Sequence, residues 1–170
     1  ATYIYENTIT TRITASFTGI NLTGCNDYVD IRNNKISAPN SGGGYGIKFS
    51  TTYSSSGNEG LIANNFVHLN TTGGTKASEC YGVRLDSSSC FNLYFNTINI
   101  TGSNTASSCS YFDYTDSLTL MNNITSNFAE GYTFYVCDST YNTFSDYNCY
   151  YTNGSYIGFA TGQDFTDLGA

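Results

Sequence analysis

The stretches Tyr3–Thr10 "YIYENTIT", Val29–Ser37 "VDIRNNKIS" and Leu61–Asn70 "LIANNFVHLN" share one frame. An aliphatic residue is followed by two spacers, an asparagine, one spacer and a second aliphatic. Aligned on the asparagine, the frame recurs at Asn7, Asn34, Asn65, Asn96, Asn123 and Asn148, at spacings of 27, 31, 31, 27 and 25 residues. Four copies are clean: Ile4…Ile9, Ile31…Ile36, Ile62…Val67 and Leu93…Ile98. The fifth puts Thr125 in the second aliphatic slot, and the last, "FSDYNCYY", keeps only Asn148 and Tyr150.

A second repeat runs out of phase with the first: "TGINL", "YGIKF", "YGVRL", "SYFDY", "YTFYV" and "SYIGF". Its first inward residues are expected to be Ile20, Ile47, Val83, Phe112, Phe134 and Ile157, with Leu22, Phe49, Leu85, Tyr114, Val136 and Phe159 two positions on. Polar residues between them (Asn21, Lys48, Arg84, Asp113) give the period-two alternation of a strand with one face inward. The same strand therefore returns after each circuit, which excludes a sandwich of hairpins. A coil climbing one strand spacing per turn, ~4.8 Å, stacks equivalent residues directly. The expected fold is all-β: a right-handed parallel β-helix (solenoid) of about six coils. The irregular stretches 25–30, 86–92 and 137–143 would form its third face. In such a column the six asparagines turn corners, where their tolerance of left-handed backbone helps, and their amides hydrogen-bond from rung to rung as a structural ladder.

Composition agrees. The 170 residues include 16 Tyr and 11 Phe but one Pro and no Trp, and only 11% are charged, against roughly 25% in ordinary soluble domains. Strand formers dominate and helix formers are scarce. Residues 1–170 are read as a single domain, a segment of a longer chain, because no capping helix precedes the first strand and "TGQDFTDLGA" is short for a cap. The expected partners are thus the rest of a larger polypeptide, or neighbouring subunits stacked on the open coil ends. A net charge of −7 with six Lys and Arg argues against nucleic acid, which needs a basic stripe. No apolar run approaches the ~20 residues of a membrane span, so no membrane insertion is expected.

Six cysteines without a C-x-x-C pair, and His68 as the single histidine, make zinc improbable. An even count suggests an oxidising, extracellular setting, with buried free thiols as the competing reading. Cys80 and Cys109 each lie three residues before an expected inward residue, Val83 and Phe112, and are the disulfide candidate.

At this point the motifs match a known pattern. The repeated I-x-N-N-x-I with Y-G-I-x-F resembles the right-handed parallel β-helix repeat of the pectate-lyase-like superfamily. The closing "FSDYNCYYTNGS…FATGQDFTDLGA" resembles β-helix segments of large secreted Bacteroidota surface proteins. The resemblance covers Tyr3 to about Leu168. It implies a module of a big exported protein, often adhesive or carbohydrate-contacting; the superfamily also holds lyases, glycosidases, tailspikes and adhesins.

The lyases of that superfamily use an acidic calcium cluster and an arginine or lysine base. Lys48 and Arg84 occupy equivalent outward positions and Asp113 follows on the next copy, which allows an Arg84–Asp113 pair; Asp86 and Asp116 are the only further recruits. A glycosidase needs paired carboxylates, and Asp27/Asp30, Asp113/Asp116 and Asp164/Asp167 are candidates that could equally hold calcium. Otherwise no metal or cofactor is expected. Surface tyrosines are the best functional hint: Tyr5, Tyr28, Tyr94, Tyr135, Tyr147 and Tyr151 cannot all face the core, and exposed rings stack on sugars or fill interfaces. Ordinary cross-rung stacking is the competing reading. The candidate carbohydrate or partner contacts are Lys48, Arg84, Asp113 and Tyr135, and no catalytic residue is assigned. The leading reading is a non-catalytic extracellular module forming a rigid or adhesive surface that contacts glycans; the alternative is a polysaccharide lyase or glycoside hydrolase. Scattered threonines argue against an ice-binding array.

Overall fold

The computed structural model describes residues 1–12, 15–71, 79–137 and 141–167. It is a parallel β-helix. Eighteen strands in chain order climb the column in threes, and a nineteenth folds back. The first sheet holds β1 (Thr2–Tyr5), β4 (Val29–Arg32), β7 (Gly60–Ala63), β10 (Ser89–Tyr94), β13 (Asp116–Met121) and β16 (Tyr141–Asp146). The second holds β2 (Thr8–Thr10), β5 (Lys35–Ala38), β8 (Phe66–Asn70), β11 (Thr97–Thr101), β14 (Ile124–Asn127) and β17 (Cys149–Thr152). The third holds β3 (Phe17–Thr23), β6 (Gly44–Ser50), β9 (Cys80–Asp86), β12 (Ser107–Asp113), β15 (Tyr132–Val136), β18 (Gly158–Ala160) and β19 (Gln163–Phe165). Every pairing is parallel except β18 with β19. The asparagine motif thus spans two sheets and the corner between them. Residues 25–30 and 86–92 are no separate face: they turn from the third sheet and enter the first.

The corner explains the motif. The Oδ1 of Asn65 accepts both the backbone N–H and the Nδ2 of Asn34, at 3.1 and 3.0 Å, while its own Nδ2 reaches Ile31 O and Asn96 Oδ1. The same pattern runs unbroken from Asn7 to Asn148. Buried amides would each be costly alone; in register each satisfies the next. The left-handed backbone belongs to the residue before each ladder asparagine: Glu6, Asn33, Asn64, Phe95, Asn122 and Tyr147, with φ from 52° to 58°. The ladder asparagines themselves keep negative φ, which corrects the expectation that they make the turn.

The apolar columns fill the interior. Ile31, Ile62, Leu93 and Leu120 stack behind the first sheet and Ile36, Val67 and Ile98 behind the second, all buried. The third sheet lies close against side chains of the second at Gly46 and Gly82, where a Cβ would overlap Val67 and Ile98. In the next coil Cys109 takes the place of Gly82 and Thr125 that of Ile98. A larger residue on one face accompanies a smaller one on the other, which keeps the core filled.

Two assignments of register change. Phe112 pairs with Leu85, and Ser110 sits opposite Val83, because a buried serine takes the aliphatic slot in this coil. In the last coil Gly158, not Ile157, lies opposite Phe134, whose ring occupies the space a Cβ would need; Phe159 faces outward beside Tyr135. Cys80 consequently faces Ser107, with Cys109 two residues further along, and no bridge joins Cys80 to Cys109. None of the six cysteines is in a disulfide. Burial pushes the Cys80 thiol up to about 12 and the Cys109 thiol higher still, so neither is a reactive thiolate at neutral pH.

Candidate functional site

The outward side of the third sheet carries a dense set of polar and aromatic groups. The corrected register brings the sequence candidates onto this one face in two adjacent columns. Lys48, Arg84, Tyr111, Tyr135 and Phe159 form one column; Ser50, Asp86 and Asp113 form the other. Asp113 therefore stands beside Asp86 and does not pair with Arg84. The Arg84 guanidinium instead meets Glu79 at 2.9 Å and Asp86 at 3.3 Å. It also lies over the rings of Tyr45, Tyr81 and Tyr111 at 5.7, 5.5 and 5.1 Å, and Lys48 Nζ lies 4.6 Å from the Tyr45 ring centre. Burial opposes the Arg84 charge, and Glu79, Tyr45 and Asp86 more than offset it, so its pKa rises.

Sequence reasoning named Tyr135 and missed its neighbours. Tyr45, Tyr81, Tyr111, Tyr135 and Phe159 form one continuous run of rings with centroid steps of 5.9, 4.4, 5.1 and 4.5 Å. Interplanar angles of 23°, 9° and 11° in the last three steps make it a true stack. Tyr132 meets Tyr135 edge-on, and its hydroxyl donates to Asp164 at 2.8 Å. The Cys137 thiol donates to the Tyr111 hydroxyl at 3.4 Å. Burial, aided by the bond to Asp164, pushes the Tyr132 phenol up to about 12; burial raises Tyr81 and Tyr111 as well, so these hydroxyls stay protonated donors. The signal that could have found the stack was the tyrosine opening "YGIKF" and "YGVRL", continued by Tyr111 of "SYFDY" and Tyr135 of "YTFYV" and obscured by the register slip at Ser110.

This arrangement has a chemical consequence. A ring sandwiched between rings offers only its edge and hydroxyl to the outside. The third sheet can hydrogen-bond a partner and present charge, but the faces of Tyr81, Tyr111 and Tyr135 inside the run are covered by neighbouring rings.

The other tyrosines divide. Tyr5, Tyr147 and Tyr151 are exposed, while Tyr28, Tyr94 and Tyr135 are half-buried. Tyr5 and Tyr28 both donate to the buried Asp30 carboxylate, at 2.6 and 3.3 Å, and Arg32 closes the cluster with a 2.7 Å ion pair to Asp30 and a bond to the Tyr5 hydroxyl. His68 is half-buried with Nε2 3.3 Å from Thr101 Oγ1, and burial lowers its pKa. The paired aspartates are spoken for in part: Asp30 by Arg32 and Asp164 by Tyr132. Among the described residues no group of three or more His, Cys, Asp or Glu is placed to hold a metal, and no helix is long and apolar enough to cross a membrane. Most of the loop "NTTGGTKASEC" lies outside the described residues.

The chain matches no family model, no curated protein and no solved structure. The β-helix is therefore carried by the strand order and register, and the pectate-lyase-like and Bacteroidota resemblances by the motifs alone.

Proposed function

We propose that the chain is a non-catalytic, extracellular β-helix module of a larger cell-surface or secreted protein, acting as a rigid adhesive surface that contacts carbohydrate. The observation that supports this reading is how the outer groups of the third sheet are used. Arg84 is engaged by Glu79, Asp86 and three rings, and the aromatic run from Tyr45 to Phe159 packs on itself. Side chains tied to their neighbours make a stiff face suited to contact, with little loss of side-chain freedom on binding. Lys48, Arg84, Asp113 and Tyr135 are the proposed polar contacts, and further coils of the same polypeptide or stacked subunits are the proposed neighbours of the column ends.

The test is a glycan-array binding assay run beside an assay for unsaturated or reducing-end products on the same polysaccharides. Binding without turnover supports the module. Turnover that is lost on Arg84→Ala or Lys48→Ala replaces it with a lyase or hydrolase.

A further inference from the structure

Free aromatic faces are found elsewhere, on the corner that carries the asparagine ladder. Its left-handed position is filled by asparagine in the second, third and fifth coils (Asn33, Asn64, Asn122), but by Phe95 in the fourth and Tyr147 in the sixth. Bulky side chains are disfavoured in that conformation, whereas asparagine tolerates it. Phe95 and Tyr147 are 57% and 73% exposed, so burial in the core does not repay the strain. Strained residues kept without a packing return concentrate where a protein meets a ligand.

The two rings sit two coils apart, about 9.6 Å at ~4.8 Å per rung, with the exposed Asn122 amide on the rung between them. That separation is too wide for them to stack on each other. Phe66 and Ile124, also exposed, flank them at the start of the second sheet. Asp146 is the charged residue next to Tyr147, and its carboxylate accepts the Tyr147 backbone N–H at 2.8 Å.

We infer that this corner is a glycan-binding ridge for a linear, uncharged polysaccharide running along the column axis. Phe95 and Tyr147 stack on sugar rings, and Asn122 hydrogen-bonds the hydroxyls between them. A surface that repeats at rung spacing suits a ligand that repeats along its length. The aspartate at the ridge and the net charge of −7 favour a neutral polymer over an acidic one. The inference rests on the proposal that this module contacts carbohydrate, and moves the stacking contact from the third sheet to the ladder corner.

Phe95→Asn and Tyr147→Asn give the two rungs the residue their backbone prefers, so both variants should fold and melt about 2–4 °C higher than the parent. Affinity gel electrophoresis in hydroxyethylcellulose, xylan and galactomannan, with polygalacturonate as the acidic control, reads binding. Retardation by a neutral polymer, weakened about tenfold by each substitution and abolished by both, is the expected result. If the parent binds but the double variant binds equally, while Lys48→Ala with Tyr135→Ala does not, the ridge is wrong and the third-sheet contact stands. Retardation by polygalacturonate alone overturns the neutral-ligand assignment. If the parent binds none of the four, the carbohydrate reading falls and the ridge with it.

Discussion

The first and last coils occupy the same register and are built oppositely. In the first, Ile4, Ile9, Phe17 and Leu22 turn inward and pack, half-exposed, against the buried residues of the coil above. In the last, Thr143 and Ser145 stand where the preceding coil has Leu118 and Leu120, and both are exposed. A cleft of about 720 Å³ opens there, with Phe112, Leu120, Phe134 and Val136 as its apolar part and Phe165 of the returning β19 on the other side. The comparison teaches that a coil's inward residues set what can lie against it. The first coil keeps an apolar row on which another layer can pack; the last has exchanged that row for hydroxyls and an antiparallel turn.

The largest expected effects come from setting a central coil against the first. Ile62→Ala should cost about 3–4 kcal/mol by leaving a cavity in a buried column, and Ile4→Ala about 1 kcal/mol, measured by urea unfolding. Equal costs would mean that the first coil is as well packed as the third. Asn65→Ala should cost about 2–3 kcal/mol, because two Asn34 donors lose their acceptor in a buried site. At Asn7 the same change should cost under about 1 kcal/mol, since Asn7 only donates within the ladder. Ser145→Leu restores the aliphatic row in the last coil and should stabilise by about 1 kcal/mol. Destabilisation instead would show that the hydroxyl's bonds to Tyr150 and Asn148 matter more than filling the cleft.

The smallest effect is on pH. Burial lowers the pKa of His68 in the folded state, so the unfolded chain binds the proton more readily. Its contribution to stability is complete above the unfolded value of about 6.5 and declines as pH falls below it. His68→Gln should flatten the melting temperature between pH 7 and 5 relative to the parent, and an unchanged slope would clear His68 of any part in it.

The column was legible in the sequence because its rungs repeat the same inward residues. The asparagine frame alone located six coils and the ladder. The turning residue was not legible: in Asn33–Asn34, Asn64–Asn65 and Asn122–Asn123 two asparagines are adjacent, and only backbone geometry tells which turns and which bonds. The slip at the fourth coil has a similar origin. Ser110 is buried at an aliphatic position, so alternation of apolar and polar residues slid by two and carried Asp113 and the cysteine pairing with it. Glu79, which holds Arg84, lies five residues upstream outside either motif, and no periodicity points to it. The ring stack and the aromatic corner depend on which faces are covered, a property of three dimensions.

The close packing at the glycines of the third sheet has a consequence for how such a chain can be rearranged. Gly46 makes room for Val67, and Gly82 for Ile98; in each case the glycine and its guest belong to successive turns of the winding. Lifting out the third turn whole sets Gly46 beside Ile98, one tenant for another of like size, whereas lifting out the fourth sets Gly82 beside the smaller Thr125. Which storey can be moved therefore depends on the side chain that the next one up brings to the glycine below.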